Sequence, residues 1–182
     1  MTARKEAAVR TRSIPLVAVL GVLALVLAAT PAAAVQVTDP DDVAGKLDLK
    51  TLVARKADAS APLIAKITTY ENWAATLLKD SGHNRICVLF DVDADGAAEY
   101  VGKISSSGGD LHMDITGQGS AFEPLPVKHP DGHTIKTVVP GGSPPNPDGT
   151  VQIAAKSVFH DTGTCSTACK DRAPNTGWLA VP

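Results

Sequence analysis

Hydrophobic positions along the chain fall into one long block followed by a series of short alternating runs. The block is Ile14–Ala29. Beyond it, Lys46-Leu47-Asp48-Leu49-Lys50 alternates apolar and polar residues and Leu52-Val53-Ala54-Arg55-Lys56 continues extended, which predicts a half-buried strand. Asp58–Pro62 turns the chain, and Leu63–Tyr70 returns as a second strand. Glu71–Leu78 breaks the alternation; Asn72 can cap a single helical turn that buries Trp73 and Leu77. Trp73 is read as a core anchor in preference to a sugar-stacking platform, because large aromatics in a small domain mostly supply buried area.

The most informative stretch is Arg85–Ile104, RICVLFDVDADGAAEYVGKI. Ile86–Phe90 is a continuous apolar run rich in β-branched and aromatic residues, too short for an ordinary helix, and it predicts a strand covered on both faces. Asp91–Gly96 then turns sharply, and Glu99–Ile104 resumes extended structure, so the whole predicts a β-hairpin. Ser105–Asp110 reads as a flexible connection, Leu111–Ile115 as a half-exposed strand, and Leu125–Val127 as an edge or irregular strand confined by Pro124 and Pro126. Thr134–Val139 and Thr150–Lys156 flank a Pro/Gly loop, and Trp178, Leu179 and Val181 are expected to close the sheet. About eight short strands with almost no helix predict an all-β fold, an antiparallel sandwich or jelly roll.

The N-terminal block changes the picture of location. Arg4, Lys5, Arg10 and Arg12 precede it, and Ala32-Ala33-Ala34 follows Thr30-Pro31, the three-part pattern of a secretory signal peptide over residues 1–34 with cleavage after Ala34. The competing expectation is an uncleaved anchor formed by residues 14–29, although a bilayer helix wants about 20 apolar residues. Residues 35–45 lead into one β-domain, 46–182. The full chain of 182 residues carries a formal charge of −2; without residues 1–34, which hold four basic groups and one acid, about −5 remains. An acidic exported domain without a basic patch is a poor partner for nucleic acid or an anionic membrane. The expectation is a secreted monomer.

Candidate chemistry concentrates in the hairpin turn. Asp91, Asp93 and Asp95 occupy positions 1, 3 and 5 of a tight loop, the carbonyl of Ala97 position 7, and Glu99 position 9. Carboxylates so crowded repel one another unless a cation or solvent intervenes, and hard oxygen donors in that number suit Ca²⁺. The alternative is a solvated acidic turn. An EF-hand is excluded because position 12 is Gly102 and the flanks are strand-like. The DVDADGAAE loop resembles the DxDxDGxxD calcium loop between strands in secreted FG-GAP and VCBS-type repeats, with Asp91, Asp93, Asp95 and Glu99 on the ligand positions and glutamate in place of the last aspartate. The resemblance covers this hairpin alone, and with no second copy it does not imply a propeller. In architecture the chain is similar to secreted bacterial sandwiches and, more loosely, to carbohydrate-binding modules. Asp39, Asp41 and Asp42 either complete the shell of the acidic turn or are solvated loop acids.

Three cysteines allow one disulfide. Cys165–Cys169 is the favoured pair, since a short loop closes at low entropic cost, leaving Cys87 as a buried thiol; a bridge using Cys87 is the alternative. His129 and His133, with His160 or the cysteines, suggest a weaker zinc pattern, although Pro130 and Gly132 prevent the helix that normally aligns such a pair. No nucleophile elbow, S-x-x-K motif or phosphate loop occurs. The expected function is a non-catalytic, Ca²⁺-stabilised module that binds a glycan or a protein. The alternative is a small hydrolase using carboxylates such as Asp91 and Glu99, or His112, His129 and His160.

Overall fold

The computed structural model describes residues 33–79, 83–160, 165 and 168–182. The signal segment therefore lies outside the described residues up to position 32. All described residues belong to one compact unit, Pro31–Pro182. Its strands are β1 (Val35–Thr38), β2 (Leu49–Arg55), β3 (Leu63–Thr69), β4 (Arg85–Asp91), β5 (Tyr100–Ser107), β6 (Asp110–Gly117), β7 (Ser120–Ala121), β8 (Leu125–Asp131), β9 (Thr134–Val139), β10 (Val151–Phe159), β11 (Cys169–Ala173) and β12 (Leu179–Val181). Among the described residues one 3₁₀ turn, Ala75–Leu78, interrupts them.

The all-β, antiparallel expectation holds, but the strands are not divided between two sheets of a sandwich. One hydrogen-bonded sheet of twelve strands runs β1-β2-β3-β9-β8-β6-β5-β4-β10-β11, with β7 on β6 and β12 on β10. Every pairing between these strands is antiparallel. Its two ends approach each other: β2 lies beside β11 and β1 beside β12, so the sheet curls into a nearly closed barrel. The ends are joined by the main-chain N–H of Leu49 in β2, which donates to Asp171 Oδ2 in β11 at 2.6 Å.

Alternation explains the interior. In β3, Leu63, Ala65 and Ile67 are buried while Lys66 is exposed. In β2 the buried residues are Leu49, Leu52 and Ala54, a spacing that breaks strict alternation, and the register against β3 shifts between Leu49 and Thr51. The bulge lets both leucines reach the core. Consequently Lys46–Lys56 is not one strand: Lys46 and Leu47 lie in a turn, and Asp48, whose place in the alternation suggests exposure, is buried.

Ile86, Val88 and Phe90 of β4 enter the core cluster together with Ile104, Met113, Ile115 and Ile153. The opposite face of β4 is only partly covered. Cys87 is buried and Leu89 half-buried, in a hollow they share with Arg85, Lys103 and Lys156. Trp73 belongs to the core, donating its indole N–H to Thr69 Oγ1 at 3.1 Å and stacking on His129 with ring centroids 4.2 Å apart. The stretch expected as a flexible connection after Ile104 is a tight hairpin: β5 and β6 are joined by Gly108 and Gly109, with φ of 63° and 99°, the conformation a two-residue turn between twisted strands requires. Among the described residues no helix is long and apolar enough to cross a membrane.

Candidate metal centre

Asp91 closes β4 and is buried, Glu99 precedes β5 and is half-buried, and Asp93 and Asp95 between them are exposed. The chain reverses through Ala94 (φ 61°) and Gly96 (φ 92°), both in the left-handed region. That bend lets each acid cap a main-chain amide further along the turn. Asp95 N–H donates to Asp93 Oδ1 (3.2 Å), Ala97 N–H to Asp95 Oδ1 (2.8 Å) and Gly96 N–H to Asp91 Oδ2 (3.0 Å). Val92 N–H donates to Glu99 Oε2 at 2.8 Å, which draws the last acid back over the turn. Behind it, β6 packs so closely that a Cβ on Gly117 would lie 2.0 Å from the Glu99 carbonyl oxygen.

As a result, one ligand atom each from Asp91, Asp93, Asp95 and Glu99 lies within 4.8 Å of the other three. Two unit charges about 4 Å apart repel by roughly 1 kcal/mol in water and roughly 4 kcal/mol near a protein surface, so four of them demand compensation. Asp91 Oδ1 is buried and meets no hydrogen-bond donor among the described residues. The turn thus brings together the four acids expected from their spacing. The main chain of Ala97 joins it through its amide, held by Asp95.

A second group of acids gathers at the seam of the barrel. Asp39 follows β1, Asp42 lies in the next loop, Asp48 immediately precedes β2, and Asp171 sits in β11. A ligand atom from each lies within 4.8 Å of the others. Asp39, Asp48 and Asp171 are 1%, 3% and 5% exposed, so of the three lead-in acids Asp39 is not a solvated loop residue; it belongs to this group and not to the shell of the hairpin turn. Asp171 is anchored by main-chain N–H groups of Leu49 and Arg172, both at 2.6 Å. Among the described residues no N–H or hydroxyl group reaches either oxygen of Asp48, or Oδ2 of Asp39. The carboxyls of Asp41 and Asp171 are the polar groups beside Asp48. Burial, reinforced by Asp171 and Asp42, raises Asp39 to about 7; burial, reinforced by Asp41 and Asp171, raises Asp48 to about 8. Sequence spacing does not reveal this group, because Asp48 and Asp171 are 123 positions apart.

The other expected features separate. Cys165 and Cys169 form the disulfide, with Cα atoms 5.5 Å apart, and Cys87 is a buried free thiol. Burial raises the Cys87 thiol above its usual range against the pull of Arg85, Lys156 and Lys103. His129 stacks on Trp73, His133 Nδ1 lies 3.0 Å from Asn72 Oδ1, and the His160 ring tilts against His83. His112 Nε2 is 3.2 Å from Ser105 Oγ and 3.4 Å from Asp114. The metal-compatible groups among the described residues contain carboxylates only, so the HPDGH histidines gather no zinc set there.

Fold and site together define an all-β, antiparallel, barrel-like module with two carboxylate clusters that could hold a metal ion. Comparisons with protein-family models, with curated proteins and with solved structures found no match to this chain.

Proposed function

We propose that the chain is a non-catalytic, exported β-module, stabilised by Ca²⁺ in the β4–β5 turn, that binds a glycan or a protein at its surface outside the cell. The observation that carries the calcium assignment is the buried, donor-free Oδ1 of Asp91 in a turn whose four carboxylates converge. Asp91, Asp93, Asp95 and Glu99 would supply side-chain oxygens and Ala97 its carbonyl, as the resemblance to FG-GAP and VCBS-type loops implies. An all-oxygen donor set favours a hard cation over zinc or copper. The Cys165–Cys169 disulfide and the signal-like N-terminal segment support an oxidising destination.

Isothermal titration of chelator-stripped protein with Ca²⁺, repeated on the D93N/D95N variant, tests the calcium half. Loss of one bound equivalent in the variant supports it; identical heats in the two proteins overturn it. A glycan array and a pull-down from envelope extract, each run with and without EDTA, test the binding half. Retention of neither a glycan nor a protein by the calcium-loaded chain overturns that part.

A further inference from the structure

We infer that Asp39, Asp42, Asp48 and Asp171 form a second divalent-cation site, for Ca²⁺, which staples the first and last strands of the sheet across the barrel seam. The inference stands independently of the hairpin turn. Convergence of four acids is insufficient by itself, since acidic clusters are common on protein surfaces without an ion. What distinguishes this one is burial without a cation or an N–H donor among the described residues: Asp48 is 3% exposed, and the polar groups against its two oxygens are the carboxyls of Asp41 and Asp171. A carboxylate removed from water and left without a donor is among the most costly groups a fold can carry. Asp39 Oδ2 shares that condition within the same cluster.

The donors are all carboxylate oxygens, and no histidine or cysteine belongs to the group. Ca²⁺, which takes six to eight oxygens in irregular geometry, suits such a cage. Asp171 is pre-oriented by its two main-chain bonds, so it acts as the fixed wall against which the lead-in chain closes. A hollow of about 370 Å³, lined by Asp41, Asp48, Tyr70 and Lys46 among others, lies alongside and gives access for the ion and room for water ligands. Gly45 (φ 118°) lets the lead-in loop pass over Phe159, where a Cβ would come within 2.4 Å of the ring. The loop that delivers Asp42 and Asp48 is thus packed against Phe159.

The test uses the full chain, stripped with chelator, and reads Ca²⁺ bound per chain and the melting temperature with and without Ca²⁺. The D93N/D95N variant, which leaves the seam intact, should still bind one equivalent and still gain melting temperature with Ca²⁺. D42N, at an exposed position, should weaken that remaining equivalent by about tenfold or more when added to D93N/D95N. D48N should abolish it, yet melt in EDTA at or above the stripped parent, because an amide is neutral at the seam without a bound proton or cation. A D93N/D95N protein that takes up no Ca²⁺ while the parent does, or one whose uptake is unchanged by D42N, overturns the inference while leaving the hairpin assignment standing. No uptake by the parent overturns both.

Discussion

At the scale of single residues, backbone conformation and close approach set the shape of the acidic turn. Gly96 has open space around it, so a methyl group there meets nothing; the cost of Gly96→Ala is the left-handed backbone alone, about 1 kcal/mol. Ala94 already sits in that region with a Cβ. Ala94→Gly is therefore expected to stabilise or leave unchanged the metal-free protein, by at most about 1 kcal/mol, where an alanine-to-glycine change normally destabilises. Urea melts of the two variants in EDTA check the opposite signs. Gly117 differs from both: a methyl group there runs into the Glu99 carbonyl, so Gly117→Ala should displace the last acid and cost Ca²⁺ affinity as well as stability, a pairing that titration and melting together detect.

At the scale of elements, the Pro/Gly loop between β9 and β10 shows how polar groups fix a segment that has no ladder of its own. Asn146 is fully buried and its Nδ2 lies 3.2 Å from the carbonyls of Ala61, Val139 and Pro140. Lys56, 2% exposed, donates Nζ to the carbonyls of Pro147 (3.1 Å) and Gly149 (2.7 Å). Asn146→Ala strips donors from buried carbonyls and should cost about 1–3 kcal/mol, read as a fall in the denaturation midpoint with unchanged slope. Nothing in the composition of that loop distinguishes Asn146 from a solvent-facing turn residue, because its partners lie in the turn before β3 and at the end of β9. The β4–β5 hairpin, by contrast, is legible from the sequence: its strands, its turn and its four acids are consecutive, so local chemistry determines them. The β2 bulge is half-legible. Leu47 and Leu49 are out of phase with Leu52 and Ala54, and the phase break marks the shift that a continuous-strand reading overlooks. Short β1, β7 and β11 carry too few residues for any period to show, and β11 earns its place by pairing with β10.

At the scale of the whole molecule, closure of the sheet depends on what neutralises the seam. A sandwich has two sheets whose inner faces bury one another; a curled single sheet must instead bring its first and last strands together. In this chain that junction is where Asp39, Asp48 and Asp171 are buried. Without metal, the fold holds protons on Asp39 up to about pH 7 and on Asp48 up to about pH 8, whereas the unfolded chain releases them near the ordinary value of 3.8. Between about pH 4 and pH 8 the native state therefore binds more protons than the unfolded state, and stability falls as pH rises through that window. The charged groups acting on these two carboxyls are the acids Asp41, Asp42 and Asp171, all of which raise them; Tyr70, Lys46 and Glu71 line the adjoining hollow, and Lys50 lies over the Tyr70 ring. In EDTA the melting temperature should decline steadily from about pH 5 to about pH 8. Saturating Ca²⁺ replaces the protons, so its stabilisation should be small at the acid end and grow toward pH 8. Two parallel melting curves, displaced by the same amount at every pH, would show that the ion binds away from the seam and that closure does not depend on these buried acids.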